Sequence, residues 1–226
     1  MNNYEIPKII HYCWFGKKDK PELVKRCIKS WENNLNDYKI IEWNEDTFDI
    51  NSNKFVKQAY EAGKFAFVSD YVRVYALYNY GGIYMDTDVE VYRTFSKDIL
   101  KNESFWGFEE KNFIATSTIV KKNGDIDTTT NVYIVSSIIK KLGVRLDGSY
   151  QEIDKLGTFY PQEYFSPYDY INCYSKANKN TYTIHYFYKS WVPASDKIKG
   201  KIKAILSKII GGYRIAKIRK LISNYW

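Results

Sequence analysis

The sequence predicts an α/β domain followed by a basic helical tail. Three observations carry that expectation: strand and helix patterns alternate through the body, a strand of period two follows a glycine-terminated helix, and the net charge is confined to residues 196–226. KIIHYCWFG has the continuous apolar run of a buried strand closed by Gly16, Pro21 opens a helix through ELVKRCIKSWENN, and YKIIEWN is a second strand, which makes a β-α-β start. After Asp46 comes helical texture through KFVKQAYEAG and a break at Gly63. A longer helix runs from about Ser69 to Tyr80, with Ser69 as a possible cap and Val72, Tyr75, Ala76 and Asn79 facing inward. Gly81-Gly82 ends it, because glycine takes positive φ at low cost.

From Ile83 the segment YGGIYMDTDVEV alternates, with Ile83, Met85, Thr87, Val89 and Val91 on one side and Tyr84, Asp86, Asp88 and Glu90 on the other. One face packs on a core and the other presents three carboxylates, which repel one another unless water, a base or a cation lies between them. A divalent cation is the candidate, and a solvated edge strand the plain alternative. The Asp-x-Asp spacing is weak alone, since the chain has a second, Asp125-Ile126-Asp127, in the setting of a polar turn. Asp70 and Arg73 share a helix face, where a surface ion pair is worth only about 0.3 to 0.5 kcal/mol. Trp14 ends a strand before a glycine, a core position that can also offer a flat face to a base. His185, in IHYFYKSW, is by itself more often satisfied structurally than metal-bound.

Composition narrows the class. The 226 residues, 45% hydrophobic and 18% aromatic, suffice for one domain with a sizeable core. No segment has the roughly 18 unbroken apolar residues of a membrane span, and Met1 to Ile10 lacks the apolar run of a signal peptide, so the chain is expected in the cytoplasm. Cys13, Cys27 and Cys173 lack any paired spacing and are expected as reduced thiols, two of them buried. Residues 196–226 hold nine of the 34 Lys and Arg but one of the 26 acids, so the entire net charge of +8 sits there and the body is neutral. The boundary near Pro193 to Asp196 divides the chain into residues 1–195 and 196–226.

Together IPKIIHYCWFG, SDYVR, YGGIYMDTDVEV and IHYFYKSW resemble bacterial glycosyltransferases of family 32, the DXD-containing sugar-binding group of capsule and lipopolysaccharide synthesis, whose catalytic core is similar to that of the large clostridial glucosylating toxins. The resemblance covers roughly residues 4 to 192 and is most specific from Phe65 to Tyr92. It implies a GT-A fold, a Rossmann-like mixed sheet flanked by helices, and transfer of a sugar from a nucleotide diphosphate with retention of configuration. By position, Trp14 stacks on uracil, Asp70 and Arg73 hold the donor sugar, and Tyr84 joins that donor-binding set. Asp86 lies near ribose and metal, Asp88 binds the metal, and His185 is its late ligand. Ser190 and Trp191 contact the diphosphate, while Asp127 and Asn131 lie on the sugar and acceptor side, near the reacting carbon.

Those residue types suit the chemistry. Departure of a nucleoside diphosphate builds charge on the β-phosphate that a divalent cation stabilises; carboxylates suit Mg²⁺ or Mn²⁺, and a histidine tilts the choice to Mn²⁺. No residue stands out as a covalent nucleophile. UDP-galactose or a similar UDP-hexose is the favoured donor by analogy, with a saccharide, commonly lipid-linked, as acceptor. The chain departs from the family between Thr118 and Lys122, where a longer helical stretch is normal, and this puts the acceptor in doubt. A metal-dependent nucleotidyltransferase or phosphohydrolase would use Asp86, Asp88 and Glu90 but leave Trp14 and SDYVR unexplained. A basic module for nucleic acid or membrane would use the tail alone.

In the tail, SDKIKGKIKAILSKII places Ile198, Ile202, Ile205, Leu206 and Ile209 on one helical face, Gly211-Gly212 makes a hinge, and YRIAKIRKLISNYW repeats the design with Ile215, Ile218, Leu221 and Ile222. A basic amphipathic helix lies in the headgroup region, where each Lys or Arg near an anionic surface contributes about 1 kcal/mol. The expectation is peripheral attachment to the inner face of the cell membrane. The alternative is that the apolar faces dock on the body or pair two chains. A nucleic-acid arm would not need so regular an isoleucine stripe, so no nucleic-acid partner is expected.

Overall fold

The computed structural model describes residues 5–110, 112–114, 131–188, 204–205 and 207–223. β1 (Ile9–Cys13) lies between two parallel neighbours, β2 (Lys39–Trp43), in register from Ile9 opposite Lys39 to Cys13 opposite Trp43, and β3 (Ile83–Tyr84). Its central place explains its unbroken apolar run. Ile10 and Tyr12 enter a core with Trp31, Leu35, Met85 and Tyr182, while Cys13, and Phe15 beyond it, enter a second with Trp43, Phe48, Val68 and Val72. The expected α/β class with a parallel sheet and flanking helices is what the chain adopts, an arrangement consistent with a GT-A-like fold.

α1 (Glu22–Asn34) buries Val24, Cys27 and Trp31, three positions on one helical stripe. It also clamps β4 (Val89–Val91). The Trp31 indole donates to the Val89 carbonyl at 2.7 Å, the Val91 N–H donates to Ser30 Oγ at 2.9 Å, and Asn34 Nδ2 donates to the Val91 carbonyl at 3.0 Å. α2 (Lys54–Glu61) is capped by the Asn53 side chain, which accepts from the N–H groups of Phe55 and Val56.

α3 (Phe65–Tyr80) begins a turn before the expected Ser69, because Phe65-Ala-Phe-Val extends the apolar pattern upstream. Ser69 is therefore no cap; its hydroxyl donates back to the Phe65 carbonyl at 3.0 Å. Val72 and Ala76 are buried as expected, but Asn79 is exposed and donates to the Tyr75 carbonyl.

The strand expected through residues 83–91 is broken. β3 pairs with β1, whereas β4 pairs antiparallel with β11 (Thr183–His185), and the residues between cross from one sheet to the other. The Met85 N–H donates to the His11 carbonyl, and the Val89 N–H donates to the Asp86 carbonyl, closing a turn around the two aspartates. Alternation survives in the burial of Ile83, Met85 and Val91, while Asp86 and Asp88 gain the reach of a loop.

The second half adds α4 (Lys97–Leu100) and a four-stranded mixed sheet. Its order is β6 (Phe113–Ile114), β5 (Phe105–Glu110), β8 (Gly157–Tyr160), β7 (Gln151–Ile153), and β5 and β8 run parallel. α5 (Asn131–Lys141) lies against β6, and α6 (Gln162–Phe165) precedes a hairpin of β9 (Tyr168–Asp169) and β10 (Tyr174–Ser175). All three cysteines are free thiols, with Cys13 and Cys27 buried. The last helix spans Gly212–Ser223, and among the described residues no helix is long and apolar enough to cross a membrane.

His11 locks the turn that delivers the aspartates. It is fully buried, its Nε2–H donates to the Gly81 carbonyl at 2.9 Å, and its Nδ1 accepts from the Trp43 indole at 3.1 Å. Gly82, at φ +90°, sits so close that a Cβ would meet the Ile9 carbonyl oxygen at 2.6 Å. Burial, with a smaller push from Lys39, holds the His11 pKa below its ordinary value against the Gly81 carbonyl, and the Trp43 N–H at Nδ1 occupies the place of a second ring proton. Below the unfolded pKa of about 6.5 the unfolded chain binds a proton that the folded one refuses, so stability falls as pH drops through that value and returns above it. A non-titrating His11→Gln chain is expected to lose less stability than wild type between about pH 7.5 and about pH 5.5 in urea titrations, with His185 cancelling in the difference. Equal losses would remove His11 from the account.

Candidate active site

Asp86, Asp88 and His185 converge where β3, β4 and β11 meet, and each offers a ligand atom within 4.8 Å of the others. The convergence follows from register: His185 sits opposite Val89, so its side chain reaches the turn that carries Asp88. His185 Nε2 lies 3.3 Å from Asp88 Oδ1, while Asp88 Oδ2 accepts the Tyr188 N–H at 2.6 Å. The Tyr186 N–H donates to the Asp88 carbonyl, which ties the late strand to the turn a second time.

Asp86 is braced from below. Arg73 Nη2 donates to its Oδ1 at 3.0 Å, lies 3.4 Å from Asp70 Oδ1, and the guanidinium stacks 4.4 Å from the Tyr84 ring centre. The Asp70 side chain is only 3% exposed, so the pair is no surface ion pair. Burial pulls the Arg73 pKa down, but Tyr84, Asp86 and Asp70 outweigh it and keep the guanidinium charged.

The local field is strongly negative. Burial alone would lower His185, yet Asp88, then Asp86 and Glu109, raise it to about 9. Burial alone would raise Asp88, yet His185 and the Tyr188 N–H hold its carboxyl below the ordinary carboxylate value. At neutral pH the metal-free site thus keeps a proton on His185, and a metal must displace it, so affinity rises with pH up to about 9. Two carboxylates and an imidazole suit a first-row divalent ion, and an octahedral shell with bonds of about 2.1 Å spaces its ligands about 3 to 4 Å apart. The three side chains fit that set with small adjustments.

The structure brings together Asp70, Arg73, Tyr84, Asp86, Asp88 and His185. Trp14 stands apart at the exit of β1, half-buried against the first core, with its indole N–H donating to the Lys18 carbonyl at 2.7 Å and Lys20 Nζ 5.9 Å from its ring centre. Asp127, Ser190 and Trp191 lie outside the described residues, as does the segment from Thr118 to Lys122. Asn131 is placed at the start of α5, and its side chain is outside the description.

Sequence reasoning missed Glu109. Burial, and then Asp86, Glu110 and Asp88, push its carboxyl up to about 7, against the pull of His185. The available signal was Phe108: a core residue on β5 sends its neighbour to the opposite face, towards the aspartates. Glu90, by contrast, leaves the cluster. It is bonded by the Tyr186 hydroxyl and lies 4.0 Å from Arg26 of α1.

Residues 21–106 match the family model described as glycosyltransferase sugar-binding region containing DXD motif. That span runs from α1 to the start of β5 and contains Asp70, Arg73, Asp86 and Asp88, and it supports a DXD glycosyltransferase. A solved structure titled PaToxG Glycosyltransferase is similar over 63% of this chain and 64% of that chain, with 20% identity and a TM-score of 0.37. The chain thus spans less than two thirds of that structure's length. Comparison with curated proteins gave no match.

Proposed function

We propose that residues 1–195 form a retaining, metal-dependent glycosyltransferase that moves a hexose from a UDP-sugar, with UDP-galactose or a similar hexose donor favoured, to a saccharide acceptor in surface polysaccharide synthesis. The observation that carries this reading is the convergence of Asp86, Asp88 and His185 within reach of one ion, with both aspartates inside the segment that matches the sugar-binding region and His185 brought to them from far outside it. Mn²⁺, or Mg²⁺, is the proposed ion; when bound it supplies the charge that stabilises the departing diphosphate. The chain's own residues orient the partners. Asp88, fixed on both oxygens, and Asp86, fixed by Arg73, present preorganised carboxylates that need no rearrangement during transfer. Trp14 has its N–H committed to Lys18, so what it offers a uracil is its flat face. Ser190 and Trp191 are proposed for the diphosphate, and Asp127 and Asn131 for the acceptor side. The acceptor is lipid-linked, met at the cytoplasmic face of the membrane with the help of residues 196–226.

A two-metal hydrolase or nucleotidyltransferase is disfavoured by Glu90, whose carboxylate is held by Tyr186 on the α1 side rather than beside Asp86 and Asp88. The test is a screen of nucleotide sugars for hydrolysis with and without Mn²⁺. One UDP-hexose is expected to be cleaved only with the ion, and Trp14→Ala to raise its KM by roughly five- to 160-fold, since base stacking on an aromatic is worth about 1 to 3 kcal/mol. Phosphate release from many simple esters, or no metal-dependent cleavage of any nucleotide sugar, would overturn the reading.

A further inference from the structure

The tail is attached to the body by its smallest residues. Ser207, only 3% exposed, donates its hydroxyl to the Asn172 carbonyl at 2.6 Å in the β9–β10 hairpin, with the Cys173 carbonyl at 3.3 Å. A Cβ on Gly212 would meet that same Asn172 oxygen at 2.6 Å and Tyr174 Cβ at 2.7 Å, so only glycine allows the approach. Tyr213 completes the seat edge-on to Tyr174, ring centres 6.4 Å apart.

This seat inverts the packing expected of an isoleucine stripe that docks on the body. Ile205 is 57% exposed, Ile209 76%, Ile210 45% and Tyr213 67%. Single exposed apolar residues need no explanation, but four within nine positions on a docked segment form a patch, and such patches mark interaction surfaces. The charge around the patch identifies what it meets. Lys208, Arg214 and Lys217 are exposed beside it, and the sequence from Lys197 to Trp226 contains no acidic residue. Apolar side chains ringed by cations with no counter-charge suit an anionic lipid surface, whose headgroups pair with the cations and whose interface takes the isoleucines.

The seat also lies close to the candidate metal site. The hairpin that receives Ser207 packs Tyr170 on Phe187, with ring centres 4.9 Å apart, and Phe187 packs on His185 at 4.1 Å. Two ring contacts therefore separate the hairpin from a candidate metal ligand.

We propose that Ile205, Ile209, Ile210 and Tyr213 with Lys208, Arg214 and Lys217, on a segment seated on the β9–β10 hairpin through Ser207 and Gly212, form a docking surface for an anionic bilayer close to the candidate metal site. This deepens the proposed reading by fixing where a lipid-linked acceptor is met. Vesicle binding needs no donor, metal or acceptor, so the two readings fail independently.

The test is cosedimentation of the full chain with phosphatidylcholine vesicles, with and without phosphatidylglycerol, at low and high salt. Strong binding is expected only with the anionic lipid, weakening with salt. Ile209→Ser with Ile210→Ser is expected to reduce binding at least about tenfold, and Lys208→Gln with Arg214→Gln and Lys217→Gln to weaken binding to the anionic vesicles and lessen its salt dependence. Both variants should hydrolyse donor as wild type does, and Tyr78→Ser, on an exposed face of α3, should bind as wild type. If the isoleucine pair lowers the melting temperature, Ile209→Ser alone replaces it. Unchanged binding by the isoleucine variant overturns the proposal, and so does equal binding to neutral vesicles. It is equally overturned if light scattering shows a dimer that Ile209→Ser with Ile210→Ser converts to monomer, because the patch then belongs to a second copy.

Discussion

Asp88→Asn is expected to eliminate metal-dependent turnover while leaving the fold intact. The substitution keeps the size of the side chain and an oxygen that can still accept the Tyr188 N–H, now at 2.6 Å. It removes the charge that faces His185 at 3.3 Å. Both consequences act on the metal: a carboxylate ligand is lost, and the field that fixes the imidazole weakens. Changing partners that merely support a metal ligand typically costs about 10- to 100-fold, so loss of a ligand should exceed about 100-fold in Mn²⁺-dependent cleavage. The fold should persist, since the side chain lies in a turn between two sheets rather than in a core cluster, but stability at neutral pH should fall, because Asp88 is what makes the folded chain hold the His185 proton more tightly than the unfolded one. A second readout separates this from general damage. With Asp88 neutral, burial, already the largest single influence on His185, is opposed only by Asp86 and Glu109, and the pKa should fall from about 9 toward or below its ordinary value in an NMR titration of the metal-free chain. Near-normal turnover, or an unmoved His185, would sink the assignment.

How much of this was legible in the sequence depends on which contacts are local. The central strand was legible because a strand flanked on both sides must be apolar on both faces, and KIIHYCW is. α1 was legible from Pro21 and the spacing of Val24, Cys27 and Trp31. The break between Met85 and Asp88 was not, because period two persists across a chain that changes sheets: Ile83 and Val91 are buried in one core, although their strands pair with different partners. The role of His11 was equally hidden. Its two ring nitrogens are satisfied by Gly81 and Trp43, residues 70 and 32 positions away, and no local pattern encodes that.

The candidate site was legible only as a set of residue types. Asp86, Asp88 and His185 carried the right donors, yet nothing in IHYFYKSW states that β11 pairs with β4 in the register that places His185 beside Asp88. Glu109 was missed because a glutamate late in a strand reads as solvated surface until the fold buries it beside other carboxylates. The tail taught a different lesson. Its isoleucine stripe was plain in the sequence, but the direction it faces was decided by Ser207 and Gly212, two small residues that allow backbone and hydroxyl to approach Asn172.

Arg73→Met is expected to be the most destabilising single change at the site. The side chain of Arg73 is 15% exposed and that of Asp70 only 3%, and the guanidinium serves Asp70, Asp86 and the face of Tyr84 at once. Removing one partner of a buried ion pair typically costs about 3 to 5 kcal/mol, because the remaining charge keeps its desolvation penalty. For a chain of this size that corresponds to a fall in melting temperature of roughly 6 to 20 °C. Arg73→Lys should cost less, since it restores a charge near Asp70. It should not restore function, because an ammonium has neither the planar fork that spans two carboxylates nor the flat surface that stacks on Tyr84. Combining Arg73→Met with Asp70→Asn should recover part of the lost stability, and the recovered amount measures the coupling between the two residues. The same variants divide bracing from donor binding. If Arg73 only positions Asp86, Arg73→Lys assayed well below its melting temperature should weaken Mn²⁺ binding and leave the donor KM at saturating Mn²⁺ close to wild type. If the guanidinium also holds the donor sugar, KM should rise several-fold under those conditions. An Arg73→Met chain that melts with wild type would overturn the brace itself, because no buried carboxylate could then depend on this guanidinium.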